Sequence, residues 1–296
     1  MKIEDFYFEK YHGLGNDYIL VNDIEWNIPE KKKGSLAKKL CEWHFSIGAD
    51  GLIYVCEANS SIDADIEMRI FNIDGTEAEM CGNGIRCFSK YVYEHGIVSK
   101  EDMKIKTLKG IISSKLRLSE KNNGIVEQVK IDMGHPILEC NKIPVVPEDN
   151  ENQCINESIV AINKVFNFSA VSMGNPHCVI FVKKQLDDNN LNKYGSVLEN
   201  HERFPNKINV EFVKVLSQEE CSLRVFERGV GITNSCGTGS CASVVAGVIL
   251  GKFKKNTPIR VHNDGGDLII TYSGERVFME GPVEKSFTGS IEKLEF

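Results

Sequence analysis

The chain has 296 residues, of which 35 are basic and 42 acidic, so its formal charge is −7. An acidic chain without a basic stripe is not expected to bind nucleic acid. Its longest strongly apolar run, residues 243–250, is far shorter than the roughly 20 residues that cross a bilayer. The N-terminal segment lacks the apolar region of a signal peptide. We therefore expect a soluble, cytoplasmic protein that binds neither membranes nor nucleic acids.

Short strands separated by turns dominate the predicted secondary structure. Apolar alternation or short apolar runs predict strands at 18–21, 51–55, 66–71, 129–132, 178–182, 209–215, 222–226, 268–272 and 276–280. Helical spacing occurs at 33–42, at 194–200 and in two segments that end at Gly96 and Gly251. Residues 148–163 are left unassigned. The mixture predicts an α/β (α+β) chain.

A repeat with a period of 155 residues divides the chain into two halves. Residues 68–96 align without a gap on residues 223–251, which places Cys81 opposite Cys236. Each copy reads as a half-buried strand, a loop, the motif Cys-Gly-x-Gly and an apolar helix. We predict two similar halves, 1–125 and 126–282, in which strands form a mixed sheet around a central helix.

Ten cysteines are the unusual feature of the composition. No Cys-x-x-Cys pair is present, so we do not expect a structural zinc site, and a chain of this length needs no disulfides to fold. Cys81 and Cys236 each precede a predicted helix, where free N–H groups and the helix dipole are expected to lower the pKa of a thiol. The other eight are expected to pack as small apolar side chains.

Two thiols at equivalent positions of repeated halves suit the inversion of a carbon stereocentre. One thiolate removes a proton from one face, the opposing thiol delivers a proton to the other face, and the roles exchange in the reverse direction. Pseudo-twofold symmetry would bring both helix N-termini to one cleft, where their N–H groups would hold a substrate carboxylate. A redox disulfide between Cys81 and Cys236, or plain packing, would also explain the pair.

Polar residues beside these turns are further candidates. His177 could orient a thiol, and Arg228 is suited to bidentate capture of a carboxylate, although ordinary hydrogen bonding and ion pairing also explain them. Four asparagines occupy predicted strand ends or turns, where backbone reasons alone favour this residue: Asn16, Asn72, Asn175 and Asn209.

Five sequence blocks resemble the motifs of the diaminopimelate epimerase family, in that family's order. They are HGLGNDYILVN (12–22), IGADGLI (47–53), FNIDGTEAEMCGNGIRC (71–87), MGNPHCV (173–179) and the block at 227–242 that contains CGTGSCA. The resemblance implies an epimerase that needs no pyridoxal phosphate or other cofactor and converts LL- to meso-2,6-diaminopimelate, for lysine and peptidoglycan precursors. It also implies a homodimer and a last strand, at about 283–296, that joins the first half.

The resemblance assigns roles to individual residues. Cys81 and Cys236 would be the two acid/base thiols, supported by His177 and by Glu227, which would also contact the substrate amine. The carboxylate at the reacting carbon would be bound by Gly82, Asn83, Gly237 and Thr238. The distal amino-acid end would be bound by Asn16, Asn72, Asn175, Asn209 and Arg228.

Three positions depart from the family pattern. Ile232 stands where the family usually has Glu, Tyr18 replaces a usual Phe, and Ser46 replaces a usual Gly. The missing acidic group beside the second thiol leaves open a cofactor-independent racemase of another amino acid, such as histidine. A non-catalytic redox switch or amino-acid-binding protein is the alternative from another class.

Overall fold

The computed structural model describes residues 2–122, 124–148 and 152–295. The helices are α1 (Asp23–Trp26), α2 (Glu30–Leu40), α3 (Gly82–Glu94), α4 (Asp188–Glu199) and α5 (Gly237–Ile249). The first nine strands are β1 (Lys2–Gly13), β2 (Asn16–Asn22), β3 (Gly51–Cys56), β4 (Ile66–Asn72), β5 (Glu77–Ala78), β6 (Asp102–Thr107), β7 (Gly110–Leu118), β8 (Val126–Gly134) and β9 (Glu157–Ala161). The next nine are β10 (Lys164–Ser172), β11 (Pro176–Phe181), β12 (Asn209–Val215), β13 (Glu220–Glu227), β14 (Gly231–Thr233), β15 (Ile259–Asn263), β16 (Gly266–Tyr272), β17 (Val277–Pro282) and β18 (Glu284–Glu295). Within the described ranges, no helix is both long enough and apolar enough to span a membrane.

The chain divides into two compact units. Unit 1 runs to Ile131 and resumes at Gly281, and unit 2 comprises Asp132–Glu280. The boundary expected at 125/126 therefore lies six residues before the point after Ile131 where the chain passes from unit 1 to unit 2. The turn that suggested this boundary includes Asn123, which is outside the described residues. The last strand, β18, pairs antiparallel with β1 in unit 1.

Both units have the same pattern of strand pairing. In unit 1, β1 lies between β18 and β2, β2 runs parallel to β3, and β4 pairs with β3, with β5 and, in parallel, with β6, after which β7 and β8 follow antiparallel. In unit 2, β10 lies between β9 and β11, β11 runs parallel to β12, and β13 pairs with β12, with β14 and, in parallel, with β15, after which β16 and β17 follow antiparallel. Parallel and antiparallel pairs thus mix in each unit, and the predicted α+β class is confirmed.

The register of these strands identifies equivalent residues in the two units. Leu52 pairs with Phe71 in unit 1, and Val210 pairs with Phe226 in unit 2. Since Phe71 and Phe226 are matched by the 155-residue repeat, the following strand residues, Ile53 and Glu211, are equivalent. The parallel neighbours give a second match. Tyr18 lies opposite Gly51, and His177 lies opposite Asn209, so Tyr18 and His177 occupy the same position in their units.

A central helix packs against the strands of each unit. Helix α3 contacts β1, β2, β3 and β7, whereas α5 contacts β10, β11, β12 and β16. Ten of the thirteen residues of α5 are buried, because small and apolar residues surround the helix on all sides. Both helices end in the predicted way, at a glycine with a positive φ of +66° at Gly96 and +69° at Gly251.

All nine strands predicted from apolar patterns are present, with ends that differ by a few residues at most. The strand predicted at 209–215 coincides with β12. The second central helix begins at Gly237, because the Gly-x-Gly segment already forms its first turn. In the unassigned stretch 148–163, residues 149–151 are outside the described residues, and the later part contains β9.

The expectation that eight cysteines serve only in packing is wrong for two of them. Cys140 and Cys154 form a disulfide within unit 2, with their Cα atoms 5.9 Å apart. That separation lies within the range a disulfide requires. The fold creates this proximity by returning the chain over a separation of 14 residues. Since no local motif marks the pair, sequence spacing did not reveal it. The remaining eight cysteines are free thiols.

Candidate active site

The first candidate thiol, Cys81, caps the N-terminus of α3 in unit 1. Its backbone is extended, its side chain is half-buried, and helical geometry begins at the following residue, Gly82. The hydroxyl of Tyr18 lies 2.9 Å from the Cys81 sulfur. Burial and the nearby thiol raise the pKa of Tyr18 well above its ordinary value, so the phenol stays protonated and donates to the sulfur when the latter is a thiolate.

Two of the predicted asparagines lie beside this helix start, and a third does not join them. Asn83 donates to the side-chain oxygen of Asn16 over 2.5 Å, and Asn16 in turn donates to Asp50 over 3.2 Å. These contacts orient the Asn16 amide at the start of β2. Asn72 is exposed at the end of β4, where its side chain donates to the hydroxyl of Thr76.

The second candidate thiol, Cys236, occupies the equivalent position at the N-terminus of α5 in unit 2, and here the side chain itself makes a capping hydrogen bond. Its sulfur accepts a hydrogen bond from the Gly239 backbone N–H over 3.3 Å and lies 3.5 Å from the Thr238 hydroxyl. The residue is 5% exposed, whereas Cys81 is only half-buried. The two thiols therefore share a helix position but differ in their surroundings.

The expected lowering of the Cys236 pKa is wrong. Burial raises the pKa of this thiol well above its ordinary value, and the carboxylates of Glu227 and Glu211 raise it further. A helix N-terminus contributes about 1 kcal/mol to the stability of an anion, which is less than one pKa unit. Complete burial can shift a pKa by roughly 3–5 units, so it outweighs the helix. The raised pKa favours the protonated, thiol form of Cys236.

A buried pair formed by His177 and Glu211 lies beneath the start of α5. His177 Nδ1 is 2.6 Å from Glu211 Oε1, and both side chains are fully buried. The other ring nitrogen, Nε2, is 3.0 Å from the side-chain oxygen of Asn175. Asn175 and His177, predicted separately, thus belong to one hydrogen-bonded group together with Glu211, which the sequence analysis did not single out.

The remaining candidates in unit 2 are connected around the loop that follows β13. Asn209 accepts a hydrogen bond from the Arg228 backbone N–H over 2.9 Å, which ties that loop to the start of β12. Glu227 accepts from the Thr233 hydroxyl over 2.5 Å. The Arg228 side chain is exposed and donates to the backbone oxygen of Asn206 over 3.2 Å. Ile232, the departure from the family pattern, is exposed on β14.

The residue types of His177, Glu211 and Cys236 are also those of metal sites. Their donor atoms lie within 4.8 Å of one another. Both imidazole nitrogens, however, are already within hydrogen-bond distance of protein oxygens, so neither offers a free lone pair to a cation. We interpret the cluster as a proton-holding group of the protein itself.

Sequence reasoning missed two residues that contact or adjoin the thiols. Tyr18 was noted as a departure from the family, but its contact with Cys81 joins residues 63 positions apart. Glu211 is a charged residue inside the apolar strand Asn209–Val215, and an acid at an inward position of such a strand is the signal that could have marked it. Neither contact follows from local spacing.

Comparison with known proteins was made by sequence and by structure. A family model described as diaminopimelate epimerase matches residues 8–139 and 169–286. A protein from Bacillus cytotoxicus named diaminopimelate epimerase is 46% identical over 291 residues, which cover 98% of this chain and 98% of the relative.

Two solved structures resemble the chain over nearly its whole length. A hydroxyproline epimerase from Agrobacterium vitis has a TM-score of 0.67 at 13% identity, covering 97% of this chain and 92% of that one. A probable proline racemase from Agrobacterium radiobacter has a TM-score of 0.68 at 14% identity, covering 96% and 92%. At such identities the likeness concerns the fold alone.

Proposed function

Because the chain belongs to the diaminopimelate epimerase family, we propose that it converts LL-2,6-diaminopimelate to the meso isomer, a step of lysine biosynthesis that also supplies peptidoglycan precursors. The observation that carries the proposal beyond family membership is the pair Cys81 and Cys236. Each caps the central helix of its unit, at positions that the 155-residue repeat matches. Two-base inversion requires such a duplicated acid/base group.

In this proposal the two thiols exchange one proton with opposite faces of the substrate α-carbon. One cysteine, as thiolate, removes the α-proton, and the other, as thiol, protonates the opposite face. After one turnover the first cysteine carries the proton and the second is the thiolate. The reaction needs no redox partner, since only two protons move: the substrate α-proton goes to the first cysteine, and the thiol proton of the second cysteine goes to the α-carbon. The family resemblance implies that no pyridoxal phosphate takes part.

The helix N-termini supply the electrostatic part of the mechanism. The first N–H groups of a helix have no partners within it, so those at Gly82 and Asn83 in α3, and at Gly237 and Thr238 in α5, are suited to the substrate carboxylate. As the α-proton leaves, negative charge develops on that carboxylate, and donors fixed in place stabilise it without reorganising.

The remaining candidates are assigned to positioning and to the distal end of the substrate. His177 and Glu227 would support the thiols, and Glu227 would also bind the amine. The distal amino and carboxylate groups would be bound by Asn16, Asn72, Asn175, Asn209 and Arg228. A substrate with a second carboxylate fits an exposed guanidinium such as that of Arg228 better than histidine does.

Deuterium exchange tests the reaction and its alternatives together. The reduced protein, without pyridoxal phosphate, is incubated in D₂O with diaminopimelate, histidine or proline. We expect deuterium at Cα of diaminopimelate and formation of the other stereoisomer, but no uptake with the other two. Uptake with histidine instead would favour a racemase of another amino acid. Absence of uptake with every substrate would leave the redox-switch or binding protein as the better explanation.

Substitution of the two thiols tests the assignment of residues. Cys81→Ala and Cys236→Ala should each lower the epimerisation rate at least about 100-fold while the thermal midpoint stays close to that of the parent protein. Cys87→Ala on α3 and Cys241→Ala on α5 are matched controls, because both thiols are fully buried on the same helices. Full turnover in either of the first two variants would refute the two-thiol mechanism.

We also propose that the protein acts in the cytoplasm as a homodimer, as the family resemblance implies. The two thiols must stay reduced to exchange protons, which a reducing compartment ensures. Light scattering of the purified protein measures the oligomeric state, and a monomeric mass at assay concentration would contradict the dimer.

A further inference from the structure

Glu211 is the least expected charged group of unit 2. Its side chain is fully buried on β12, where the equivalent residue of unit 1 is the apolar Ile53. One carboxylate oxygen, Oε1, contacts His177, while the other, Oε2, is buried without a hydrogen-bond partner among the described residues. Burying a carboxylate oxygen without a hydrogen-bond partner destabilises the folded protein, so structural stability alone does not account for Glu211.

The contacts of His177 determine how many protons the pair holds. The side-chain oxygen of Asn175 can only accept, so Nε2 of the imidazole carries the hydrogen of this contact. One further proton lies between Nδ1 and Glu211 Oε1. Whether this proton is drawn on nitrogen or on oxygen, the pair is neutral overall, and Oε2 remains open to a second proton.

Gly239 allows this carboxylate to adjoin the catalytic thiol. A Cβ atom at Gly239 would lie 2.8 Å from Glu211 Oε1 and 3.2 Å from the Cys236 sulfur, so a side chain there would be in collision with the carboxylate and in tight contact with the sulfur. At the equivalent glycine of unit 1, Gly84, a Cβ would meet Ile53 and Ile70. The second glycine of the motif therefore packs against a carboxylate in unit 2 (Gly239) and against apolar side chains in unit 1 (Gly84).

We propose that Glu211 is a positioning residue for Cys236 whose carboxylate accepts the thiol proton when Cys236 becomes the base. The inference rests on the proposed function. In the step, the S–H bond of Cys236 breaks, its electron pair stays on sulfur, and an O–H bond forms at the Glu211 carboxylate. His177 then carries both ring protons and its positive charge faces the new thiolate, so the cluster keeps its net charge and needs no other reactant.

The surrounding charges favour an internal acceptor over solvent. The titratable side chains that act on Cys236 or Glu211 are His177 and Cys178 on β11 and Glu227 on β13, with the Thr238 hydroxyl on α5. Burial raises the pKa of the Glu211 carboxyl, so this carboxylate is a stronger proton acceptor than an exposed one. Ionisation of Cys236 beside two carboxylates is unfavourable unless one of them takes the proton.

Glu211→Gln tests the inference because it keeps the shape and removes the proton acceptor. At pH 7 we expect kcat for diaminopimelate to fall about 100-fold with KM within threefold. Thiolate can then form only by loss of the proton to solvent, which becomes easier as pH rises, so the deficit should shrink to about tenfold or less by pH 9. Glu219→Gln, the same change at an exposed residue of unit 2, should match the parent protein.

Alkylation of Cys236 by iodoacetamide, followed by peptide mass spectrometry, gives a readout that needs no substrate. Proton transfer to Glu211 predicts that Glu211→Gln slows alkylation of Cys236 about tenfold and leaves Cys81 unchanged. If Glu211 acted as a charge alone, its removal would lower the pKa of Cys236 and make alkylation faster. Unchanged or faster alkylation, or a loss of kcat that is equal at every pH, would overturn the proposal.

Glu211→Asp serves if the glutamine variant does not fold. This variant keeps a carboxylate, so its kcat should depend on pH as in the parent protein and be reduced less than tenfold. A kcat that instead rises continuously to pH 9 would overturn the proposal. If Glu211→Gln slows alkylation of Cys236 as predicted but the parent protein does not epimerise diaminopimelate, the proposed function is refuted and the proton transfer is still supported.

Discussion

At the scale of single residues, the two helix-capping thiols differ in the group that contacts each of them. Cys81 has the phenol of Tyr18 at 2.9 Å, whereas Cys236 adjoins the buried Glu211–His177 pair. Tyr18 and His177 are equivalent in the strand register, so the same position supplies a hydrogen-bond donor to the thiol in one unit and the partner of a carboxylate in the other. We expect the two thiols to be tuned separately.

Tyr18→Phe tests the first of these contacts. A hydrogen bond to an ionised group contributes about 1.5–3 kcal/mol, so its loss should lower kcat by about tenfold or more and slow alkylation of Cys81 without affecting Cys236. Tyr54→Phe is the matched control, because it removes another buried hydroxyl of unit 1 that donates to the Lys33 backbone oxygen over 2.9 Å. Equal effects of the two substitutions on Cys81 alkylation would contradict the role of Tyr18.

At the scale of secondary-structure elements, α3 and α5 are built alike at both ends. Each begins after a cysteine and ends with the same pair of backbone hydrogen bonds. In α3 the N–H groups of Gly96 and Ile97 donate to the carbonyl oxygens of Tyr93 and Val92, respectively. In α5 the N–H groups of Gly251 and residue 252 donate in the same way to carbonyl oxygens of the preceding turn. These are the two bonds of a Schellman motif, in which glycine adopts a left-handed conformation. The two helices differ in composition: the buried residues of α3 include the charged Arg86 and Lys90, whereas those of α5 carry no charge.

Gly96→Ala and Gly251→Ala should therefore destabilise the protein by similar amounts. No described atom lies within 4 Å of the position that a Cβ would take at either glycine, so the cost arises from the positive φ alone and should be about 1 kcal/mol. Urea or thermal unfolding measures it. Asn tolerates this conformation better than Ala, so Gly96→Asn and Gly251→Asn should cost less, and the reverse order would contradict the explanation.

At the scale of the whole molecule, one fold unit occurs twice in a single chain. The strands of both units are paired in the same pattern, and the parallel pairs fall at matching places, β2 with β3 and β11 with β12. Against this regular background, the polar group next to Cys236 and the Cys140–Cys154 disulfide are specific to unit 2 among the described residues.

The number of free thiols in the whole chain shows whether the protein contains no, one or two disulfides. Denatured protein that was purified without reductant should give eight reactive thiols with Ellman's reagent and ten after reduction, because Cys140 and Cys154 are joined. Ten thiols before reduction would contradict this disulfide. Six would indicate a second one, and peptide mapping would then decide whether it is the Cys81–Cys236 bond of the redox-switch hypothesis.

Local and periodic features of the sequence determined a large part of this protein. The 155-residue repeat, the strand patterns and the Cys-Gly-x-Gly turns predicted the α+β class and placed both thiols at helix starts, since each of these depends on residues close together in the chain. The family motifs likewise indicated the reaction before any contact was known.

Only the tertiary structure decided what surrounds each thiol. Tyr18 reaches Cys81, Glu211 adjoins Cys236 and Cys140 joins Cys154 because the fold brings together residues that are distant in sequence. The same holds for the pKa of Cys236. Its direction depends on complete burial beside two carboxylates, and burial is a property of the packed unit that no local pattern contains.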